Sequence, residues 1–181
     1  MKEEEVILVD KKDNPLGKMG KMEAHKKGLL HRAFSIFILN SKSQLLIQKR
    51  AYTKYHSPGL WTNTCCSHQR EGESSIQAGQ RRLLEEMGFN TSLKELFSFI
   101  YKASFDNGLI EHELDHVLLG FSNDLPQINS DEVFDFRWVD LKILNEDLIS
   151  NSKKYTIWFH IIFERFYKYV LDNEEYNIIK R

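Results

Sequence analysis

Residues 72–89, GESSIQAGQRRLLEEMGF, carry the strongest helix signal in the chain. Ser74 or Ser75 can accept hydrogen bonds from the first free backbone amides, and Gly88 can adopt the left-handed conformation that ends a helix. The apolar side chains expected on the inward face are Ile76, Leu83, Leu84 and Met87. The segment therefore predicts a helix over residues 74–87.

The charged residues of this helix allow two interpretations. Arg82 and Glu86 are four residues apart and share a face, so they can form a solvated ion pair, which is the commoner outcome in an arbitrary helix. Alternatively, Glu73, Glu85 and Glu86 hold Mg²⁺ against a diphosphate, because Mg²⁺ takes hard oxygen ligands from carboxylates and substrate phosphates. The helix alone leaves both interpretations open.

Outside this helix, apolar β-formers and turn signals predict strands that are mostly joined in hairpins. The expected elements are a strand at 5–10, a turn at 12–15, a hairpin over 32–51 turning at 40–43, a loop at 56–63, strands at 96–103, 110–122 and 133–140, and a helix within 152–173. This order indicates an α/β or α+β layered fold and not a doubly wound parallel sheet.

Length and composition limit the remaining possibilities. The 181 residues, 41% hydrophobic and 28% charged, suit a single domain over residues 1–181. A formal net charge of −1 gives no overall attraction to nucleic acid or to an anionic membrane. The sequence also lacks a signal-peptide pattern and a long apolar run. We therefore expect neither a nucleic-acid partner nor membrane association.

The two cysteines of the chain, Cys65 and Cys66, are adjacent. Disulfide geometry is awkward across one peptide bond, so free thiols or metal ligands are expected. Two cysteines without a disulfide framework fit a reducing, cytoplasmic setting.

The helix resembles the signature of the Nudix superfamily, G-x5-E-x7-R-E-U-x-E-E-x-G-U, where U is aliphatic. The matching residues are Glu73, Arg81, Leu83, Glu85, Glu86 and Gly88. Two positions depart from it, because Ser67 replaces the opening glycine and Arg82 replaces a glutamate. Exchanging a clustered carboxylate for a cation weakens the metal site that a Nudix hydrolase needs. The resemblance therefore implies a Nudix-like mixed sheet layered between helices, with hydrolysis lost.

Four further segments, in order, resemble the type I isopentenyl-diphosphate Δ-isomerases. They are KMEAHKKGLLHRAFSIFILN (21–40), SPGLWTNTCCSH (57–68), RRLLEEMGF (81–89) and EHELDHVLLGF (111–121). This resemblance covers about residues 5 to 140. It implies interconversion of isopentenyl and dimethylallyl diphosphate in isoprenoid biosynthesis, by protonation and deprotonation from opposite faces of the substrate.

Histidines and glutamates on separate segments predict a metal site. His25, His31 and His68 stand on three segments, while Glu111 and Glu113 alternate onto one face of a strand. Any one histidine is more often structural, but three imidazoles with two carboxylates suit an octahedral divalent ion. We expect Zn²⁺ or Mn²⁺ there. The resemblance also implies Mg²⁺ near Glu86.

Proton transfer to an unactivated alkene needs a strong, shielded acid and a base. Cys66 read alone is a small buried apolar residue, but the resemblance implies that it is catalytic and that Cys65 only packs. It implies the same catalytic role for Glu113, with Tyr101 in support. For Tyr101 the alternative is an ordinary strand aromatic residue.

The resemblance implies diphosphate binding by four cationic residues, which are Lys21, Arg50, Lys54 and Arg82. Arginine suits bidentate phosphate contacts and lysine acts as a point charge. For any one of them, a solvated surface charge is the alternative. Trp158 matches a residue lining the isoprenyl pocket, where its ring can stabilise a cation. Plain core packing is its alternative.

Two rival functions stay open on the sequence. The first is a Nudix hydrolase of a nucleoside diphosphate derivative, which Arg82 disfavours. The second is a non-catalytic zinc module using Cys65, Cys66 and His68, although structural zinc sites prefer well-spaced ligand pairs. The remaining histidines, interpreted as structural, are His56, His112, His116 and His160. We expect a small diphosphate substrate and a monomer or weak dimer.

Overall fold

The computed structural model describes residues 4–173, which form nine strands and four α-helices. In chain order they are β1 (Glu5–Val9), β2 (Pro15–Gly20), α1 (Lys21–Lys27), β3 (His31–Leu39), β4 (Gln44–Arg50), β5 (Trp61–Thr62), β6 (Cys65–Ser67), α2 (Ser75–Met87), β7 (Leu93–Ser104), β8 (Ile110–Phe121), β9 (Val133–Asp140), α3 (Leu141–Ser150) and α4 (Ile157–Asp172). The predicted mixed α/β architecture is confirmed. The predicted domain limits of 1–181 include residues 1–3 and 174–181, which lie outside the described part.

All nine strands belong to one mixed sheet centred on β3. Along its whole length β3 pairs in parallel with β8, and β8 pairs with β7 in a long antiparallel hairpin. On its other side β3 pairs with β6 over Phe34–Ile36 but with β4 only at Leu39. Both β4 and β6 contribute residues to the lining of a cavity, namely Gln48 and Arg50 from β4 and Cys66 and Ser67 from β6.

Alternate residues of β3 face two different helix layers. Phe37 and Leu39 are fully buried in the cluster that includes α3 and α4. Phe34 and Ile36 are fully buried on the opposite face, in the cluster that includes α2. Burying such a side chain stabilises the fold by about 1.5–3 kcal/mol. The sheet is therefore layered between helices, as the family resemblance implied.

Helix α2 begins and ends where the sequence predicts. The Ser74 side chain accepts from the Gln77 backbone amide at 3.2 Å, and the Gln77 side chain accepts from the Ser74 amide at 2.9 Å. This capping box satisfies two free amides. At the other end Gly88 has a φ of 73°, a conformation that suits glycine.

The predicted inward face of α2 is partly wrong. Leu83 and Met87 are fully buried, but Leu84 is 54% exposed and Ile76 is 36% exposed. The helix turns Gly79 towards the sheet instead, where an added Cβ would lie 2.8 Å from the Leu118 side chain. Small residues face inward because the helix lies so close to the sheet.

Elements β2, α1, β5, β6 and α3 were not predicted, and β5 lies within the loop predicted at 56–63. Helix α1 has seven residues and no side-chain hydrogen bond at its amino terminus. Most of β2 is exposed, without an alternating apolar pattern. Within the described range, no helix has the length and apolarity needed to cross a membrane.

Candidate active site

A cavity of about 120 Å³ gathers nearly all the residues singled out in the sequence. The predicted site residues that line it are Lys21, His25, Arg50, Lys54, Cys66, His68, Arg82, Glu86, Tyr101, Glu111, Glu113 and Trp158. His31 does not line the cavity and is fully buried behind it. Residues from all three layers thus meet at one place.

The first end of the cavity holds a tight group of three histidines and one glutamate, which we call the His/Glu cluster. His25 lies on α1, His31 begins β3, His68 follows β6, and Glu113 lies on β8. One ligand atom from each of the four lies within 4.8 Å of the others. His31 and Glu113 are register partners across β3 and β8, so the parallel pairing itself brings them together.

Distances within the His/Glu cluster fit a shared cation. The Nε2 atoms of His25 and His31 are 3.2 Å apart, and His68 Nε2 lies 3.3 Å from Glu113 Oε1. His31 Nδ1 is 2.8 Å from the Leu29 carbonyl oxygen, to which it donates, so its Nε2 is the ring nitrogen that faces the group.

The ionisation of the histidines also suits a metal. Burial, followed by the neighbouring His68 and His31, lowers the pKa of His25 to about 3. Burial also lowers the pKa of His68. Neutral imidazoles are the form that binds a metal. In addition, the Nδ1 atoms of His25 and His68 are buried without a hydrogen-bond partner in residues 4–173. The residues present therefore fit a divalent cation.

Glu113 is the charged member of this group. Burial alone would raise its pKa, but hydrogen bonds from His31 and His68 outweigh burial and hold the pKa well below its usual range. The Tyr101 hydroxyl lies 2.6 Å from Glu113 Oε2, to which it donates. Burial raises the pKa of Tyr101 well above its ordinary value, so the hydroxyl keeps its proton.

Glu111 lies beside the His/Glu cluster. Its Oε2 is 3.2 Å from the Tyr101 hydroxyl, and its Oε1 is 3.5 Å from His56 Nε2. Burial and the charge of Glu113 raise its pKa well above the ordinary value. Glu111 is not part of the 4.8 Å group, so its role as a ligand stays a prediction.

The adjacent cysteines point to opposite faces of β6, as predicted. Cys66 is partly buried and lines the cavity. Cys65 is fully buried towards α2, with its Sγ 3.2 Å from Glu86 Oε1. Burial raises the pKa of the Cys66 thiol, so the thiol keeps its proton at neutral pH. Because the described ligand group contains no cysteine, the zinc module is disfavoured.

Cationic side chains line the cavity around Glu86, and we call the ion-paired group of Glu86, Arg82, Glu132 and Lys54 the second end of the cavity. Arg82 Nη2 lies 2.6 Å from Glu86 Oε1 and 3.2 Å from Glu132 Oε2. Lys54 also forms an ion pair with Glu132. Lys21 Nζ is 3.0 Å from Glu4 Oε2. These cations are already paired with carboxylates, so an incoming anion must compete for them.

Arg50 and Trp158 line the cavity next to each other. The Arg50 guanidinium carbon lies 5.0 Å from the centre of the Trp158 ring, within cation–π range. The Trp158 side chain is 2% exposed. One ring thus contributes both to the core and to the lining of the cavity.

Comparison with known proteins identifies the family. Residues 29–159 match the NUDIX domain family. The chain is 50% identical over 161 residues to isopentenyl-diphosphate Delta-isomerase from Pectobacterium atrosepticum, covering 89% of this chain and 90% of the relative. It is 56% identical over 158 residues to isopentenyl-diphosphate Delta-isomerase 2 from Photorhabdus laumondii, covering 87% and 89%.

The chain belongs to the isopentenyl-diphosphate Delta-isomerase family, within the Nudix superfamily. Solved structures agree with the fold. DR0079 from Deinococcus radiodurans matches with a TM-score of 0.74 at 19% identity, covering 90% of this chain and 98% of that one. MutT protein from Methanosarcina mazei matches with a TM-score of 0.62 at 18% identity, covering 77% and 94%.

In this isomerase-family chain, two signature glutamates lie in ion pairs outside the cavity. Glu73 accepts two hydrogen bonds from the Arg81 guanidinium, at 2.7 and 2.8 Å. This bidentate contact joins the loop that precedes α2 to the helix. Glu85 lies 2.8 Å from Arg82 Nη1. Neither glutamate lines the cavity. Of the signature carboxylates, only Glu86 does, which disfavours a hydrolase metal cluster on this helix.

Several cavity residues of this family member were missed in the sequence. They are Glu4, Gln48, Tyr55, His56, Ser67 and Glu132. His56, interpreted as structural, is buried and contacts Glu111 and Trp158. Gln48 is 3% exposed and follows the apolar run Leu45–Ile47 on β4, but its place in the cavity depends on contacts with other elements. The others depend on contacts that local pattern does not reveal.

Proposed function

We propose that the chain interconverts isopentenyl diphosphate and dimethylallyl diphosphate by moving one proton on and another off the five-carbon chain. The observation that carries the proposal is that Cys66 and Glu113 line the same cavity, which also contains a group of potential metal ligands and a set of cations. Family membership supports the substrate class. The reaction belongs to isoprenoid biosynthesis.

In this proposal His25, His31, His68 and Glu113 hold a divalent Zn²⁺ or Mn²⁺, with Glu111 alongside. The bound ion fixes the Glu113 carboxylate and alters its proton affinity. Glu86 helps to hold a Mg²⁺ that accompanies the diphosphate, because Mg²⁺ combines carboxylate and phosphate oxygens.

The remaining residues bind the substrate and move protons. Cys66 and Glu113 act from opposite faces of the isoprenyl chain, and the Tyr101 hydroxyl steadies Glu113 through its 2.6 Å hydrogen bond. Trp158 presents a ring to the tail, where it stabilises positive charge in the transition state. The diphosphate binds to Lys21, Arg50, Lys54 and Arg82.

The direct test is isomerisation in D₂O with Mg²⁺ and the His/Glu-site metal present. We expect dimethylallyl diphosphate carrying solvent deuterium, measured by NMR and mass spectrometry. A folded, metal-loaded sample that incorporates no deuterium contradicts the proposal. Release of phosphate or of a nucleoside monophosphate from a nucleotide substrate would favour the hydrolase alternative.

We also propose that the chain works as a monomer or weak dimer in the cytoplasm. Both cysteines are free thiols in the structure. A thiol used for proton transfer must stay reduced, which suits a reducing compartment.

A further inference from the structure

Gln48 is a polar residue on a buried strand whose amide is only half satisfied. Its Nε2 donates to Glu86 Oε2 at 2.9 Å, and both side chains line the cavity. Its Oε1 is buried and has no hydrogen-bond partner in the described chain. In this orientation the amide presents its NH₂ group to Glu86 and leaves its carbonyl oxygen as the unpaired atom.

A lone acceptor of this kind is expensive to bury. Leaving a buried polar atom unpaired costs about 1–3 kcal/mol. The preceding residues of β4, Leu45–Ile47, are apolar and fully buried, so an apolar side chain at position 48 would avoid that cost. A donor that arrives at the cavity would remove the cost as well.

The hydrogen bonds of Glu86 show which of its two oxygens is left to bind a cation. Glu86 Oε1 already accepts from Arg82 at 2.6 Å and from the Cys65 thiol at 3.2 Å. Glu86 Oε2 accepts only from Gln48 among the described hydrogen bonds. Oε2 is therefore the oxygen left for a cation, and Gln48 sets its direction.

We propose that Gln48 is a positioning residue for the diphosphate-borne Mg²⁺. Its Nε2 aims Glu86 Oε2 at the ion, and its Oε1 accepts a hydrogen bond from a water that the ion carries. The inference rests on the proposed function, because it needs Mg²⁺ at Glu86. Partners that orient a metal ligand change metal affinity or activity by about 10–100-fold when they are removed.

The test compares inorganic diphosphate binding with and without Mg²⁺, in protein that holds its His/Glu-site metal. The ratio of the two dissociation constants, measured by calorimetry, gives the gain in affinity due to Mg²⁺. Gln48→Met has similar length but neither donor nor acceptor. It should reduce this gain at least about tenfold and leave Mg²⁺-free binding unchanged. Gln48→Leu, a residue type already present on β4, serves as a second variant if the first folds poorly.

Gln69 supplies the matched control. It is 1% exposed, its Nε2 donates to the Ser75 hydroxyl at 3.0 Å, and its Oε1 also lacks a partner in residues 4–173. It lies outside the cavity. Gln69→Met removes a buried amide with the same unpaired oxygen, but it should keep the full gain from Mg²⁺.

The outcomes separate the two proposals. If the parent protein gains nothing from Mg²⁺, the Mg²⁺ site at Glu86 is wrong and the inference on Gln48 falls with it. If the parent gains affinity and both Gln48 variants keep that gain, Gln48 only packs. In that case the isomerase proposal, tested by deuterium uptake, is unaffected.

Discussion

The two ends of the cavity each bury a glutamate, but they surround it differently. Glu113 contacts the imidazoles of His31 and His68, whereas Glu86 contacts the guanidinium of Arg82. An imidazole can give up its proton and turn a nitrogen lone pair towards a cation, but a guanidinium cannot. The His/Glu cluster is therefore suited to retain a metal of its own. The Glu86 end is already charge-balanced, so under our proposal Mg²⁺ would bind there only together with a diphosphate that pairs with Arg82.

Replacing either proton-handling residue should have the largest effect and should separate the cluster from the thiol. Cys66→Ala and Glu113→Gln should each slow isomerisation by at least about 10²–10⁴-fold, because each removes a general acid or base. Cys66→Ala should keep its metal, while Glu113→Gln loses a ligand and binds metal more weakly. Deuterium incorporation and metal content by atomic emission measure both effects. Metal loss in Cys66→Ala would make the thiol a ligand and revive the zinc module.

Removing the metal ion of the His/Glu cluster should abolish the contribution of that end of the cavity to catalysis. A chelator is expected to abolish isomerisation and to lower the melting temperature, because an ion held at 1,000 times its Kd stabilises a fold by about 4 kcal/mol. Zn²⁺ or Mn²⁺ added together with Mg²⁺ should restore activity, and Mg²⁺ alone should not. His68→Ala should reproduce the chelated state. Recovery with Mg²⁺ alone would mean that the two ends do not differ in the way described.

The substitution Arg82→Gln changes the second end of the cavity and leaves the His/Glu cluster intact. Arg82 contacts Glu86 and Glu132 and is proposed to bind the diphosphate. A hydrogen bond to a charged group contributes about 1.5–3 kcal/mol, so KM should rise about 10–100-fold. Content of the His/Glu-site metal should match the parent. An unchanged KM together with a lower content of the His/Glu-site metal would contradict the division of the cavity into two ends.

The two ends of the cavity also differ in which of their elements and residues could be predicted from the sequence. Helix α2 was predicted because its signals are local: Ser74 caps it and Gly88 ends it. The strands carrying His31 and Glu113 were predicted from apolar runs, and their parallel register then places the two residues together. Resemblance to a known family supplied the assignments of Cys66 and the cations, which composition alone did not favour.

What the sequence missed depends on tertiary contact. Helix α1 carries His25 but has only seven residues and no side-chain cap at its amino terminus, and it is held partly by His112 Nδ1, 3.0 Å from the Gly28 carbonyl oxygen at its end. Gln48 and His56 became site residues only because distant elements close around them. Such packing has no signature in local periodicity.

The smallest expected effect concerns the pH dependence of stability in metal-free protein. The pKa of His25 is about 3 in the fold against 6.5 ordinarily, with burial the leading cause. Below about pH 6.5 the unfolded chain binds a proton that the folded imidazole refuses, so stability falls as the pH falls. Each such histidine contributes about 1.4 kcal/mol per pH unit. His56, whose pKa burial and Arg50 lower to about 3, acts in the same direction.

Urea unfolding in the presence of a chelator, between pH 6.5 and 5, measures this slope. For His25→Gln, the slope of the free energy of unfolding against pH should be smaller than for the parent by the contribution of about one proton. The reason is that glutamine does not titrate in that range. Gln69→Met should run parallel to the parent, since it removes a buried polar side chain without removing a proton site. Parallel lines for His25→Gln would mean that the imidazole is protonated in the fold. The His/Glu cluster would then have to release a proton before it could bind a metal. The difference between the cluster and the Arg82–Glu86 end in their suitability for a metal ion would be smaller.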